Sequence, residues 1–284
     1  MKQYPLSIWS NYFWEPFETV IEELISAGIG AAELSTEHGE ELFRRSEQVE
    51  ETGAAVRAFL AERNFIMTQG HLPIAFKIVA QRDQLSTLLR YIDLYEACGV
   101  KNMVLHCDIS RNLPDIPFEN MFDENVKSLK VIAEHIKGRD ICICLENLHT
   151  SYPNGLCDYA DKILKIIDAV GSDRFGICLD TGHLNLSQGD QVEFIRTAGK
   201  YLRALHIADN RGIKDDHLAP YNGGNIDFVR VLRALYEVGY DGLFNLEIPG
   251  ETCIPVAIPN HLRFAKIEYI KTGYDYLQAA AQAE

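Results

Sequence analysis

The chain has 284 residues, 47% hydrophobic and 24% charged, which is ordinary globular usage: it supports a sizeable core and excludes a disordered or fibrous chain. Its 27 basic residues against 41 acidic ones give a formal charge of −14, a long-range field that disfavours nucleic acid and anionic membranes as partners. No Pro/Ser/Gly-rich linker divides the sequence and apolar runs are spread evenly along it, so one domain over residues 1–284 is expected.

The N-terminal Met1-Lys-Gln-Tyr-Pro-Leu leads straight into a strand-like run without a long apolar segment. That pattern argues against a signal peptide or membrane span and makes a cytoplasmic protein the expectation. The seven cysteines are odd in number, and Cys142, Cys144 and Cys178 lie inside apolar runs, where they read as small buried hydrophobes of a reducing compartment. The spacing Cys142-x-Cys144 puts both thiols on one side of a strand and does not suit a zinc knuckle.

In chain order, short β-like runs alternate with longer amphipathic ones. Strands are expected near residues 6–9, 31–34, 66–71, 103–106, 141–146, 175–180, 204–206 and 243–247. After the first, Trp9, Tyr12, Phe13 and Trp14 cluster, aromatic faces suited to walling a sugar pocket, with Trp14 as a substrate contact, to a subunit contact in a homo-oligomer, or to plugging the mouth of the fold. Pro16 then reads as a first-turn residue before Phe17, Val20, Ile21, Leu24 and Ile25, one apolar stripe that Gly28 and Gly30 stop. Further helical patterns run over residues 85–98, 126–136, 163–170, 228–238 and 264–277, and Gly99, Gly138, Gly171 and Gly239 fall where helix C-terminal caps belong. Eight βα units predict an α/β fold, a single (β/α)8 TIM barrel. A doubly wound sheet is the alternative, but no Gly-rich phosphate fingerprint follows the first strand.

The strand ends carry the chemistry, because in such a barrel the loops after the strands build the active site. One apolar run ends in Asp180, followed by a Thr-Gly turn and His183, and three others end in Glu146, His206 and Glu247. Any one strand-end acid is more often a cap or an ion pair. Four strands converging three carboxylates and an imidazole leave mutually repelling charges that a divalent cation relieves, and this oxygen-rich set suits Mn, Zn, Mg or Co. His71 and His106 at the ends of strands 3 and 4, with His183, Asp215 and His217, extend the set. They either bring the ions to as many as three or bind substrate hydroxyls and phosphate.

At Cys144-Leu-Glu-Asn-Leu148, Cys178-Leu-Asp-Thr-Gly-His183, His206-Ile-Ala-Asp-Asn210, Asp215-Asp-His217 with Gly223-Gly-Asn-Ile-Asp227, and Leu246-Glu247, the sequence resembles the xylose isomerase-like barrel superfamily. That superfamily holds sugar and sugar-phosphate isomerases and epimerases together with endonuclease IV-type apurinic endonucleases. The resemblance implies Glu146, Asp180, His206 and Glu247 as ligands of one metal ion, with Glu146 and Glu247 also acting as base and acid on a sugar or sugar phosphate. It equally implies that His71, His106, His183, Asp215 and His217 complete a trinuclear zinc set. Glu146-Asn-Leu and Asp180-Thr-Gly-His-Leu-Asn look like the isomerase versions, and His71-Leu-Pro-Ile-Ala-Phe lacks the Tyr-Leu-Ile-Asn run of the endonucleases. The expected activity is therefore metal-stabilised enediolate chemistry, with His183 and Arg211 holding substrate oxygens. Apurinic endonuclease activity and a non-catalytic metal-binding barrel are the alternatives.

Overall fold

The computed structural model describes residues 3–110, 113, 116–149, 155–252 and 258–283. Eight parallel strands run in the order β7-β6-β5-β4-β3-β2-β1-β8: β1 (Leu6–Trp9), β2 (Ala31–Leu34), β3 (Ile66–His71), β4 (Asn102–Leu105), β5 (Cys142–Glu146), β6 (Phe175–Asp180), β7 (Leu202–His206) and β8 (Phe244–Leu246). A parallel bridge between Ile207 and Leu246 joins the two end strands, with Ile207 N donating to the Asn245 carbonyl at 2.8 Å. The sheet is thereby a nearly closed α/β barrel.

Helices α1 (Phe17–Ser26), α2 (Thr36–Phe43), α3 (Val49–Glu62), α4 (Leu85–Cys98), α5 (Met121–His135), α6 (Ala160–Val170), α7 (Thr181–Leu186), α8 (Gln191–Ala198), α9 (Phe228–Val238) and α10 (Asn260–Gln282) lie between and after the strands. Each long one buries a stripe on the sheet. In α9, Phe228, Val231, Leu232 and Leu235 are buried while Arg230 and Glu237 stay outside. Burying a side chain of that size stabilises by roughly 1.5–3 kcal/mol, so the stripe outweighs the weak helix preference of its Phe and Val. Gly99, Gly171 and Gly239 occupy left-handed caps, as their positions predict.

All six residues of β6 are buried because one face meets the helices and the other the barrel interior, which explains its unbroken apolar reading. Inside the barrel, Val104, Cys144, Cys178 and Ala204 pack together with Cys142 against them, so the two thiols of Cys142-x-Cys144 do share a side. Beside this apolar half stands a polar one of Ser7, Glu33, Gln69 and Asn245, all at most 1% exposed.

Some local expectations are corrected. The Thr-Gly turn after Asp180 is the first turn of α7, because the Asp180 side chain accepts from His183 N and caps it. Pro16 is the N-cap of α1 rather than a residue of its first turn. Strand β4 begins and ends one residue earlier than expected, leaving His106 just past it, and Leu243 and Glu247 flank β8. Tyr12 and Phe13 are fully buried and so pack the barrel, whereas Trp14 is 44% exposed.

Candidate metal centre

All nine sequence-predicted ligands meet at the C-terminal mouth of the barrel. His71, Glu146, Asp180 and His206 are the last residues of β3, β5, β6 and β7, and His106 and Glu247 directly follow β4 and β8. The loop after β7 returns Asp215 and His217. This return needs Gly250, where an added Cβ would lie 1.9 Å from the Asp216 carbonyl oxygen, so only a bare backbone lets the loop after β8 pass.

All nine side chains are covered by three groups whose ligand atoms lie within 4.8 Å of one another: His71, His106 and Glu146; Glu146, Asp180, His206 and Glu247; and His183, Asp215 and His217; His71, His206 and Glu247 form a further set that overlaps the first two. Glu146 is the hub. Its Oε2 is 2.9 Å from His106 Nε2 and 3.3 Å from both His71 Nε2 and His206 Nδ1, while Oε1 is 3.2 Å from His183 Nδ1. Glu247 Oε2 lies 3.4 Å from His206 Nδ1. Asp215 Oδ2 bridges His183 Nε2 at 3.2 Å and His217 Nε2 at 2.9 Å.

Four of the five imidazoles have one nitrogen tied to an acceptor. Nδ1 of His71, His183 and His217 faces the carbonyl oxygens of Leu72, Asn147 and Glu247 at 2.7, 3.0 and 3.1 Å, and Nε2 of His206 faces Glu33 Oε1 at 2.9 Å. A carbonyl or carboxylate oxygen only accepts, so the tied nitrogen carries a hydrogen; the other nitrogen faces carboxylates of the centre and would give its lone pair to an ion held there, the arrangement of metal-ligating histidine. Tyr95 secures the strand behind His71 by donating to its carbonyl at 2.7 Å, and the Asn147 amide ties β5 to β6 by bonding both backbone groups of Asp180.

The electrostatics follow from burial opposed by pairing. Burial disfavours charge on Glu146, yet the His206 and His106 imidazoles outweigh it and hold the carboxyl well below the usual range. Burial likewise opposes charge on His183 and His217, but Asp180 and Asp215 raise the first well above its ordinary value, and the Asp215 carboxylate leads in pushing the second up to about 10. His106 goes the other way, because burial wins over Glu146. Asp180 is the exception among the acids: burial leads in lifting it to about 7, with the Glu146 and Glu247 charges adding to the rise.

Asp180 Oδ2, His206 Nδ1 and Asp215 Oδ1 are buried side-chain atoms without a hydrogen-bond partner among the described residues. Such orphans are costly unless something else satisfies them. A carboxylate oxygen and an imidazole lone pair facing one point are what a divalent cation binds, so the residues fit a metal ion. Glu146, Asp180, His206 and Glu247 would hold the first ion, and the other two groups have the composition for a second and third.

The chain matches the model of the xylose isomerase-like TIM barrel over residues 21–279. The chain belongs to this family. Within the xylose isomerase-like family, it is 20% identical over 251 residues to a D-psicose 3-epimerase of Enterocloster bolteae, covering 84% of this chain and 79% of that one. It is 30% identical over 156 residues to a probable endonuclease 4 of Metamycoplasma arthritidis, covering 51% and 55%. A crystal structure of a D-tagatose 3-epimerase-like protein superposes with a TM-score of 0.74 at 22% identity, covering 96% of this chain and 99% of that one. Of two further curated relatives, at 31% and 34% identity, the chain spans about half the length, 50% and 43%.

The remaining candidates stand apart from the nine. Arg211 is exposed and donates through Nε to the Gly223 carbonyl at 3.0 Å. Trp14 meets Trp9 edge-on at 5.6 Å and points Nε1 at Thr252 Oγ1, 3.4 Å away. Sequence reasoning missed Glu33, Gln69, Asn245 and Ser7. The one available signal was a glutamate interrupting Ala31-Ala-Glu-Leu34, an apolar strand with no other polar residue. No helix of the described residues is long and apolar enough to cross a membrane.

Proposed function

We propose that the protein is a divalent-metal-dependent isomerase or epimerase of a sugar or sugar phosphate. The observation that carries this reading is the pair Glu146 and Glu247, which come from the non-neighbouring strands β5 and β8 and both lie within 3.4 Å of the orphaned His206 Nδ1. Relatives named as 3-epimerases of psicose and ribulose support it.

A divalent ion in this centre would supply Lewis-acid stabilisation of the enediolate formed when a proton leaves the carbon beside the carbonyl. The chain's own residues do the rest. Asp180 and His206 are fully buried at strand ends and would orient the ion. Glu247, with its side chain 12% exposed, would take the proton of the substrate carbon on a carboxylate oxygen. Glu146, from β5, would return a proton from the other side after taking one up from the His183 imidazolium beside its Oε1, which solvent then reprotonates. Asp215 and His217 are the most open members of the site, with side chains 34% and 19% exposed, and together with His183 they would grip the substrate's hydroxyl or phosphate oxygens. Trp14 would wall the mouth. Arg211 would meet a phosphate at the outer end.

A second reading, endonuclease IV-type cleavage beside an abasic site, is favoured by one observation: the nine candidate ligands come together in groups that could hold more than one ion, and a probable endonuclease 4 is among the relatives. The charge of −14 weighs against a polyanionic substrate. One experiment separates the two. Protein loaded in turn with Mn, Co and Zn is given a panel of ketoses, aldoses and their phosphates, and separately a duplex with one abasic site. Conversion of a sugar to its isomer or epimer without incision is expected; incision at turnover rates, abolished by His71→Ala, with no sugar converted would reverse the assignment.

A further inference from the structure

Beneath the metal centre, the polar half of the barrel interior forms a single directed chain that ends on one ligand. Ser7 Oγ donates to Asn245 Oδ1 at 2.7 Å, which turns the Asn245 amide so that Nδ2 donates to Glu33 Oε2, also at 2.7 Å. Gln69 Nε2 donates to Glu33 Oε1 at 3.0 Å and to the Leu205 carbonyl at 3.0 Å, bracing the carboxylate against the residue before His206. The third contact of Glu33 is His206 Nε2, 2.9 Å from the same Oε1. Three strands and two amides thus aim one carboxylate at one imidazole, in a place where Glu33 is 1% and His206 0% exposed.

A buried carboxylate is expensive and is retained where it does something that apolar packing cannot. With every other neighbour of Glu33 donating to it, the hydrogen of the His206 ring must sit on Nε2. Nδ1 is thereby the ring nitrogen turned to Glu146, Glu247 and Asp180, where an ion held by those carboxylates would take its lone pair, and it has no hydrogen-bond partner among the described residues.

We infer that Glu33 is a positioning residue for the metal centre: it fixes the tautomer and ring plane of His206 and raises its basicity as a ligand, with Asn245, Ser7 and Gln69 holding Glu33 in turn. The inference rests on the metal reading of the proposed function. It touches neither the substrate nor the proton carriers, and it applies to either the isomerase or the endonuclease reading.

The test is zinc affinity of the metal-free full chain, measured by competition with a chelator, for wild type, Glu33→Gln and Glu33→Asp, each checked for a cooperative melt. The amide of Glu33→Gln can no longer accept from every neighbour, and the carboxylate of Glu33→Asp is a methylene too short to reach both His206 and Asn245. Loss of such an outer partner typically weakens metal binding about 10–100-fold, and that is the loss expected for Glu33→Gln, with a loss in the same direction for Glu33→Asp. In zinc-loaded protein labelled with ¹⁵N-histidine, wild type should show a slowly exchanging Nε2 hydrogen on His206 that is lost in Glu33→Gln, a signature that a purely structural role would not move. A folded Glu33→Gln with the wild-type zinc constant overturns the inference, as does a folded Glu33→Asp with that constant should Glu33→Gln fail to melt cooperatively. A wild-type chain that takes up no zinc instead overturns the metal reading beneath it.

Discussion

Asp180 divides its two oxygens between two tasks. Oδ1 accepts from His183 N at 2.6 Å and caps α7, while Oδ2 is buried and has no hydrogen-bond partner among the described residues. The substitution Asp180→Asn separates the tasks, since an amide oxygen still caps but brings no charge. Asp180→Asn is therefore expected to fold with its cap intact and lose bound metal, whereas Asp180→Ala should lose the metal and also about 1 kcal/mol of stability with the cap. Elemental analysis alongside thermal melts checks both, and stoichiometric metal in both variants would mean that the ion sits elsewhere. At this scale the strand-end acids and histidines were legible because an apolar run that stops on a charge is visible in sequence. Glu33 was not, because its partners Gln69, Asn245 and Ser7 are spread over 238 positions and only barrel closure brings them together.

Among the elements, β1, β2, β3 and β6 occupy the residues their apolar runs predict, and so do α4 and α9. Helices α2, α3, α7 and α8 escaped notice for physical reasons. Helix α7 is six residues long and opens on Thr-Gly, and it exists because Asp180 caps it and the strand before it is fixed. Helix α3 carries Gly53 in its second turn, which costs about 1 kcal/mol against alanine and weakens any local reading of a helix. The structure explains the glycine: a Cβ there would lie 2.4 Å from Ala97 Cβ and 2.7 Å from the Leu94 carbonyl oxygen, so α3 and α4 cross in direct backbone contact. Gly53→Ala gains the propensity but forces the helices apart, and overpacking costs typically 1–3 kcal/mol, so a net loss of about 1 kcal/mol is expected. That corresponds to a fall in melting temperature of about 2–4 °C for a chain of this class. A rise in melting temperature would show that the helices separate freely.

At the scale of the whole molecule, eight βα units predicted the barrel, but nothing in the sequence showed how it closes. Closure rests on the bridge from Ile207 to Leu246, and it is this contact that brings Glu247 beside His206 and completes the candidate ligand set. At the mouth of the barrel Glu146, Asp180 and His206 are the buried members and Asp215 and His217 lie nearer solvent, so on the proposed reading a substrate would enter over the third group and meet Glu146 last. The central claim is that Glu146 and Glu247 carry a proton to and from a sugar carbon, and the most direct measurement is hydrogen exchange in D₂O with metal content determined in the same samples. A sugar or sugar phosphate of the panel should gain deuterium beside its carbonyl with the wild-type protein. Glu146→Gln and Glu247→Gln should each slow that exchange by about 10²–10⁴-fold while keeping their metal. Exchange at the wild-type rate in both metal-loaded variants would contradict the account.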